Sequence, residues 1–258
     1  MHKPVERLKS EVTVEGTPTV ILVGADKGGV GKTIVARTLL DYLAAKKIPA
    51  RAFDTEAPKG TLKRFHPDST DVVDVTSAAD QARIFDTLTS SEVTVIDVRA
   101  GLLSTTLGVL RDIGFLDVAK NGDVRLMVFH ILGASIASLE EIADTARFLN
   151  GAHHFLVKNF INNTTFFDWD PATYNSYFKK IKGAAELTIP HLNELANEQV
   201  ELISLPFGTF IANRAANGDP ASYSFVLRGY VRHWLSKVWA EYDRIGFRDL
   251  IAAKQKVA

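Results

Sequence analysis

An α/β fold, a mostly parallel twisted sheet with helices on both faces, is predicted by three observations. Short apolar runs rich in β-branched residues alternate with helix-periodic stretches along most of the chain. The first run leads directly through a glycine-rich turn into a helix. A chain of 258 residues with 46% hydrophobic content is also long enough for one large core. No internal repeat, low-complexity segment or linker divides it. The expected organisation is a flexible lead-in over 1–17, a single domain over 18–242 and a C-terminal tail over 243–258.

Each element has its own signal. Val20 to Val23, between Pro18 and Gly24, reads as a buried strand. Ile34, Val35, Leu39, Leu40 and Leu43 recur at helical spacing, and Lys46-Lys47 with Pro49 mark the helix end. Ala50 to Phe53 reads as a second strand ending at Asp54, Val72 to Val75 as a short strand and Ser77 to Leu88 as a helix. Val93 to Ile96 is a strand ending at Asp97, and Leu126 to Phe129 is another. Ser135 to Leu149 has helical spacing, and His153 to Phe160 closes as a strand with Asn159 near its end. Thr164 to Phe178 is dense in aromatics (Phe166, Phe167, Trp169, Tyr174, Tyr177 and Phe178), with a helix start at Asp170-Pro171. It reads as a cover for the sheet edge, with a partner-docking surface as the alternative. From Ser222 to Tyr242, Val226, Tyr230, Val231, Trp234, Leu235, Val238 and Tyr242 mark a helix with one buried face.

The chemistry concentrates in the turn Lys27-Gly28-Gly29-Val30-Gly31-Lys32-Thr33. Glycines let consecutive backbone N–H groups face one anion, and the helix N-terminus adds partial positive charge. Lys32 is placed to reach β- and γ-phosphates, and the Thr33 hydroxyl to ligate Mg²⁺. The strict phosphate-loop pattern has a glycine where this chain has Asp26. KGGVGKT, with its second lysine, resembles instead the ParA/MinD family of deviant Walker A ATPases, within the P-loop NTPase superfamily.

The resemblance implies roles for several residues. Lys27 would reach across a dimer interface to the partner's nucleotide. Asp54-Thr55-Glu56-Ala57-Pro58-Lys59-Gly60 falls at the family's first switch: Asp54 would lie near the Mg²⁺ water shell and Glu56 would position the attacking water. Glu56 stands where the family has an aspartate, and Pro58 is shifted by one position. An ordinary acidic loop after a strand is the alternative for both carboxylates. Asp97 would hold Mg²⁺ with Thr33, and Gly101 would be the second-switch glycine. Arg99 departs from the family pattern and reads as a surface arginine, with contact to phosphate or a partner as the alternative. Asn159 would contact adenine, a capping asparagine being the alternative. Glu201 to Pro206 resembles the family's last core strand, which ends in proline before a loop against the base, so Pro206 and Phe207 would border the base. Ala216 to Pro220 is close to another family segment.

The implied function is an ATP-dependent dimerisation switch in plasmid or chromosome partitioning or cellular positioning. It would be a slow, partner-stimulated ATP hydrolase using ATP and Mg²⁺, with an ATP-dependent homodimer and an activating protein partner. Two rivals are a nucleotide-dependent binding module with little hydrolysis and an ATP-dependent ligase-like enzyme of the superfamily. From Arg228 onward, 7 Lys/Arg stand against 3 Asp/Glu. Arg228 and Arg232 are one turn apart and suit DNA phosphates. Phe247, Leu250 and Ile251, with Arg248, Lys254 and Lys256, suit a membrane-surface helix. A solvated face and a frayed tail are the plain alternatives. Lys+Arg and Asp+Glu are equal at 30, so no global field selects nucleic acid. Cysteine is absent, which excludes disulfides, thiol catalysis and the iron–sulfur branch of the superfamily. His153, His154 and His191 lack metal spacing and read as structural. No apolar run is long enough to span a membrane and the polar N-terminus has no signal h-region, so a cytoplasmic location is expected.

Overall fold

The computed structural model describes residues 16–161, 165–166, 170–178 and 184–253. The strands are β1 (Thr19–Gly24), β2 (Ala50–Asp54), β3 (Thr70–Val72), β4 (Val93–Asp97), β5 (Arg125–Ile131), β6 (His153–Asn159) and β7 (Ala185–Ile189). They form one seven-stranded sheet in the order β3-β2-β4-β1-β5-β6-β7, parallel throughout. β1 lies at the centre and every one of its residues is buried. A parallel sheet covered on both sides explains why its strands read as continuous apolar runs.

The two faces divide by alternation along each strand. Ile21 and Val23 of β1, Val93 and Val95 of β4, and Met127 and Phe129 of β5 enter one cluster. That cluster is built with α1 (Lys32–Ala45), α8 (Glu194–Ile203), α9 (Phe207–Ile211), α10 (Phe225–Arg244) and α11 (Phe247–Ala252). Val20, Leu22, Ile96, Leu126 and Val128 face the other way, onto α3 (Ala78–Phe85), α4 (Leu103–Asp112) and α5 (Phe115–Asn121). A third group, Leu132, Leu139, Ile142, Leu156 and Phe166, lies beneath α6 (Ile136–Ala146). Ser135 caps α6, its side chain accepting from the Ser138 N–H. α2 (Thr61–Phe65) and α7 (Pro171–Phe178) complete the helices described. Among the described residues no helix is long and apolar enough to cross a membrane.

Two sequence expectations are corrected. Glu201 to Pro206 is not a strand. α8 runs through Ile203, capped by the Asn193 side chain, and Ser204 ends it at φ 56°. The last strand is β7, which leads into Pro190. Its mixed burial at the sheet edge gave it little apolar signal. The stretch expected as a C-terminal tail instead supplies α11 to the core. Phe247 is fully buried, its ring 5.6 Å from Tyr42, 5.8 Å from Phe129 and 5.7 Å from Tyr242. Ile251 is also buried, and Leu250 packs against the same cluster. These side chains are therefore committed to the protein interior, not to a lipid surface. The Arg125 guanidinium fastens the end of α11 by donating to the carbonyls of Ile251 and Ala253. Lys254 and Lys256, Phe167 and Trp169, and the lead-in over 1–15 lie outside the described residues.

Phe247→Ala should leave a cavity among three rings and cost about 3–5 kcal/mol, read as a fall in the urea midpoint. A surface tail would show almost no change.

Candidate functional site

β1 delivers the chain to a glycine-rich turn at the carboxyl edge of the sheet, and α1 starts at Lys32. Gly31 sits at φ 84°, and a Cβ there would lie 2.2 Å from Asn159 Nδ2. Only glycine fits, because β6 is bonded to the turn at this point. Asn159 Nδ2 donates to the carbonyls of Val30 (3.0 Å) and Gly31 (3.3 Å). Asn159 thus braces the turn with the amide expected to read a base. Gly28 and Gly29 are exposed. Gly101, at φ 81°, approaches the turn from the loop after β4, where a Cβ would come 3.9 Å from the Asp26 carbonyl oxygen.

Lys32 is buried and bends back over the turn, its Nζ donating to the Lys27 carbonyl at 3.2 Å. Burial holds its pKa below the usual lysine value, against the pull of Asp97, Glu56, Glu141 and Asp26. Thr33 Oγ1 donates to Asp97 Oδ2 at 2.7 Å. Asp97 stands in register with Val23 on one side and Asp54 on the other. Burial pushes the Asp97 carboxyl up to about 7; the Thr33 hydrogen bond and Lys32 oppose this, while Asp54 and Glu56 add to it. A buried carboxylate paired only to a hydroxyl suits a site completed by a cation.

Asp54 and Glu56, the two acidic residues expected at a first switch, are held firmly. Asp54 accepts backbone N–H groups from Glu56 (2.8 Å), Leu62 (2.6 Å) and Lys63 (3.3 Å). It therefore caps α2, whose own N-cap, Gly60, has no side chain. Glu56 Oε2 accepts from the Thr61 hydroxyl. Thr55, unmarked by any sequence signal, joins the loops that follow β2 and β4. Its hydroxyl donates to the Asp97 carbonyl (3.2 Å) and accepts from the Arg99 N–H (2.7 Å). Arg99 is exposed, as expected.

These residues line a cavity of about 340 Å³ that includes Lys32, Thr33, Asp54, Glu56, Asp97 and Arg99. Ile34 and Ile161 also line a second cavity of about 220 Å³, together with Asn159, Pro190, His191 and Trp234. Trp234 Nε1 donates to the Pro190 carbonyl at 2.6 Å and holds the loop after β7 in place. Pro206 and Phe207, expected to border a base, do not line this cavity. Pro206 begins α9, and Phe207 is fully buried with its ring 5.0 Å from Trp234. That expectation depended on the strand the structure replaces. The proline after the last strand is Pro190, and it does line the cavity.

Lys27 is exposed and lines a separate cleft with Asp26, Ser104, Glu140, Glu141 and Asp144. Its stem lies over Gly133, where a Cβ would come 2.9 Å from Lys27 Cδ. Arg228 donates through Nε to the Tyr223 carbonyl (3.4 Å) and through NH1 to the Ile211 carbonyl (3.3 Å), which ties part of its guanidinium to the fold. Among the described residues no group of three or more His, Cys, Asp or Glu could hold a metal. Thr33 and Asp97 fit a Mg²⁺ ion only when phosphate oxygens and water complete the shell.

A strand, a glycine-rich turn and a helix that sets Lys32 and Thr33 beside a strand-terminal aspartate define a P-loop nucleotide-binding architecture. No protein-family model matches the chain, and no curated protein matches it in sequence. Solved structures do match. The ParA family ATPase from Chlorobium tepidum TLS superposes with a TM-score of 0.52 at 13% identity, covering 86% of this chain and 98% of that one. The septum site-determining protein MinD from Pyrococcus horikoshii OT3, complexed with Mg-ADP, superposes with a TM-score of 0.51 at 15% identity, covering 89% and 97%. The fold is that of the ParA/MinD ATPases.

The raised Asp97 carboxyl has a pH signature. Between its ordinary value of 3.8 and about 7, the folded chain binds the proton more tightly than the unfolded chain. Stability from this group is therefore lost as pH rises through that interval. Asp41, which burial pushes up to about 6, acts in the same direction. Asp97→Asn should flatten the fall and leave the metal-free protein at least as stable at pH 8, read by thermal unfolding. The same variant should weaken Mg²⁺-dependent nucleotide binding at least about tenfold, read by calorimetry.

Proposed function

We propose that the chain is an ATP hydrolase whose nucleotide state controls association with a second copy. The observation that carries the reading is the Thr33–Asp97 pair beside the twin-lysine turn. ATP phosphates would lie on the backbone of Gly28 to Thr33, with Lys32 neutralising β- and γ-oxygens. Mg²⁺, held by Thr33 and through water by Asp97 and Asp54, would supply charge neutralisation of the phosphates when bound. The base would enter the second cavity, against Pro190 and below Asn159. Glu56 would orient the attacking water and Gly101 would meet the γ-phosphate. The Mg-ADP bound to the Pyrococcus MinD structure supports this choice of ligand.

The exposed Lys27 would leave its cleft and reach the partner's phosphates. A P-loop whose first lysine stands outside the phosphate cavity is incomplete in one copy, which favours two copies around each nucleotide. Partitioning or positioning of a cargo, an activating partner protein and anchoring to a DNA or membrane surface belong to the same reading. One observation favours slow turnover: both switch carboxylates already have hydrogen-bond donors, Asp54 from backbone and Glu56 from Thr61. A binding module with little hydrolysis is therefore the second reading.

Light scattering with and without ATP–Mg²⁺ tests the first. The native chain should double in mass with ATP, and Lys27→Ala should not, while retaining nucleotide affinity within about threefold. Normal dimerisation of Lys27→Ala would overturn it. Steady phosphate release abolished by Glu56→Ala would remove the second reading.

A further inference from the structure

Asp26 occupies the position of the glycine in the strict phosphate-loop pattern, and nucleotide binding gives it no task. Its carboxylate reaches α4: Oδ1 accepts the Ser104 N–H at 3.2 Å and Oδ2 accepts the Ser104 hydroxyl at 2.5 Å. Ser104 lies in the first turn of α4, whose N-cap residue, Leu102, makes no side-chain cap. Asp26 therefore supplies from the phosphate turn the anionic cap that α4 lacks, meeting an orphan amide and the positive end of the helix.

The backbone of the same residue is tied on its other side. The Asp26 N–H donates to Glu141 Oε1 at 2.8 Å, and that oxygen lies 2.8 Å from His130 Nε2. His130 is fully buried in β5, in register with Gly24 at the end of β1. α4 itself sits hard on β1, since a Cβ on Gly24 would come 2.7 Å from Leu103 Cδ1. Asp26 is thus gripped between α4 and α6. It immediately precedes Lys27, and α4 immediately follows the second switch, Val98 to Gly101.

We propose that Asp26 is a positioning residue that couples the second switch to Lys27, with Ser104 as its latch. The inference rests on the ATPase reading above. α4 cannot shift with the loop around Gly101 without releasing or pulling Asp26, and either event re-aims the neighbouring lysine. The link consists of hydrogen bonds to an ionised carboxylate, stronger than their neutral counterparts. Asparagine at position 26 would keep the shape and lose the charge.

The test uses the full chain and four proteins: native, Asp26→Asn, Ser104→Ala and Ser104→Thr. Thermal midpoint, ATP–Mg²⁺ affinity by calorimetry, kcat, KM and the ATP-dependent dimer fraction are measured for each. Asp26→Asn and Ser104→Ala should lower kcat and dimer formation at least about fivefold, with nucleotide affinity within about twofold. Ser104→Thr, which keeps the hydroxyl, should restore both. Unchanged kcat and dimer fraction in Asp26→Asn would overturn the proposal, as would losses that follow the thermal midpoint and are not rescued by Ser104→Thr. A native chain that binds no ATP would overturn the ATPase reading and this inference with it. A native chain that binds and turns over ATP, beside unaffected variants, overturns the coupling alone.

Discussion

The structure turns on one buried carboxylate. Asp97 ends β4 fully enclosed, with the Thr33 hydroxyl, at 2.7 Å, as its side-chain hydrogen-bond partner and Lys32 as the cation that acts on it. A buried carboxylate is costly, and it is tolerated where nearby positive charge compensates it. Everything nearby keeps that arrangement from collapsing. β1 and β2 flank Asp97 in register, Thr55 holds its backbone carbonyl, and Asn159 braces the turn that presents Thr33. A protein organised for stability alone would place a neutral side chain here.

α1 is the second constraint. It carries Lys32 and Thr33 at its start and the charged Arg37 and Asp41 deep in the core. The Arg37 guanidinium lies 3.4 Å from the Phe65 ring and 4.2 Å from the Phe207 ring, and its NH1 donates to Glu201 at 2.6 Å. Asp41 accepts the N–H groups of Phe207 and Gly208, capping α9. Glu201 also accepts from Arg64 beside α2. α1 is thereby joined to α2 and the loop after β2 on one side and to the C-terminal helices on the other. Buried ion pairs of this kind contribute little net stability, but removing one partner is costly, so they serve better to hold a geometry than to strengthen a core.

Loops that would respond to a nucleotide are therefore tied to their frame by a few polar contacts, not by apolar packing. Thr55 links the two switches, Asp54 caps α2, and Asp26 caps α4. Such contacts can exchange for similar ones at small net cost, unlike interdigitated side chains.

By itself the sequence determined the α/β class, the central strands and the glycine-rich turn that leads into α1, because these are local. Continuous apolar runs mark strands buried on both faces, and a glycine-rich turn between strand and helix needs no distant residue to be recognised. It also marked Asp97, since a strand-terminal carboxylate is a local pattern. Only the tertiary structure decided the rest. β7, at the edge and half exposed, looked weaker than the end of α8, so the proline beside the second cavity was sought at Pro206 instead of Pro190. The tail became α11 because Phe247 and Ile251 found partners some 120 to 210 residues earlier, a pairing that no periodicity can reveal. The tasks of Asp26, Thr55 and Asn159 are likewise contacts between distant segments. A side chain's local pattern says what chemistry it can offer; which group receives it is set by packing.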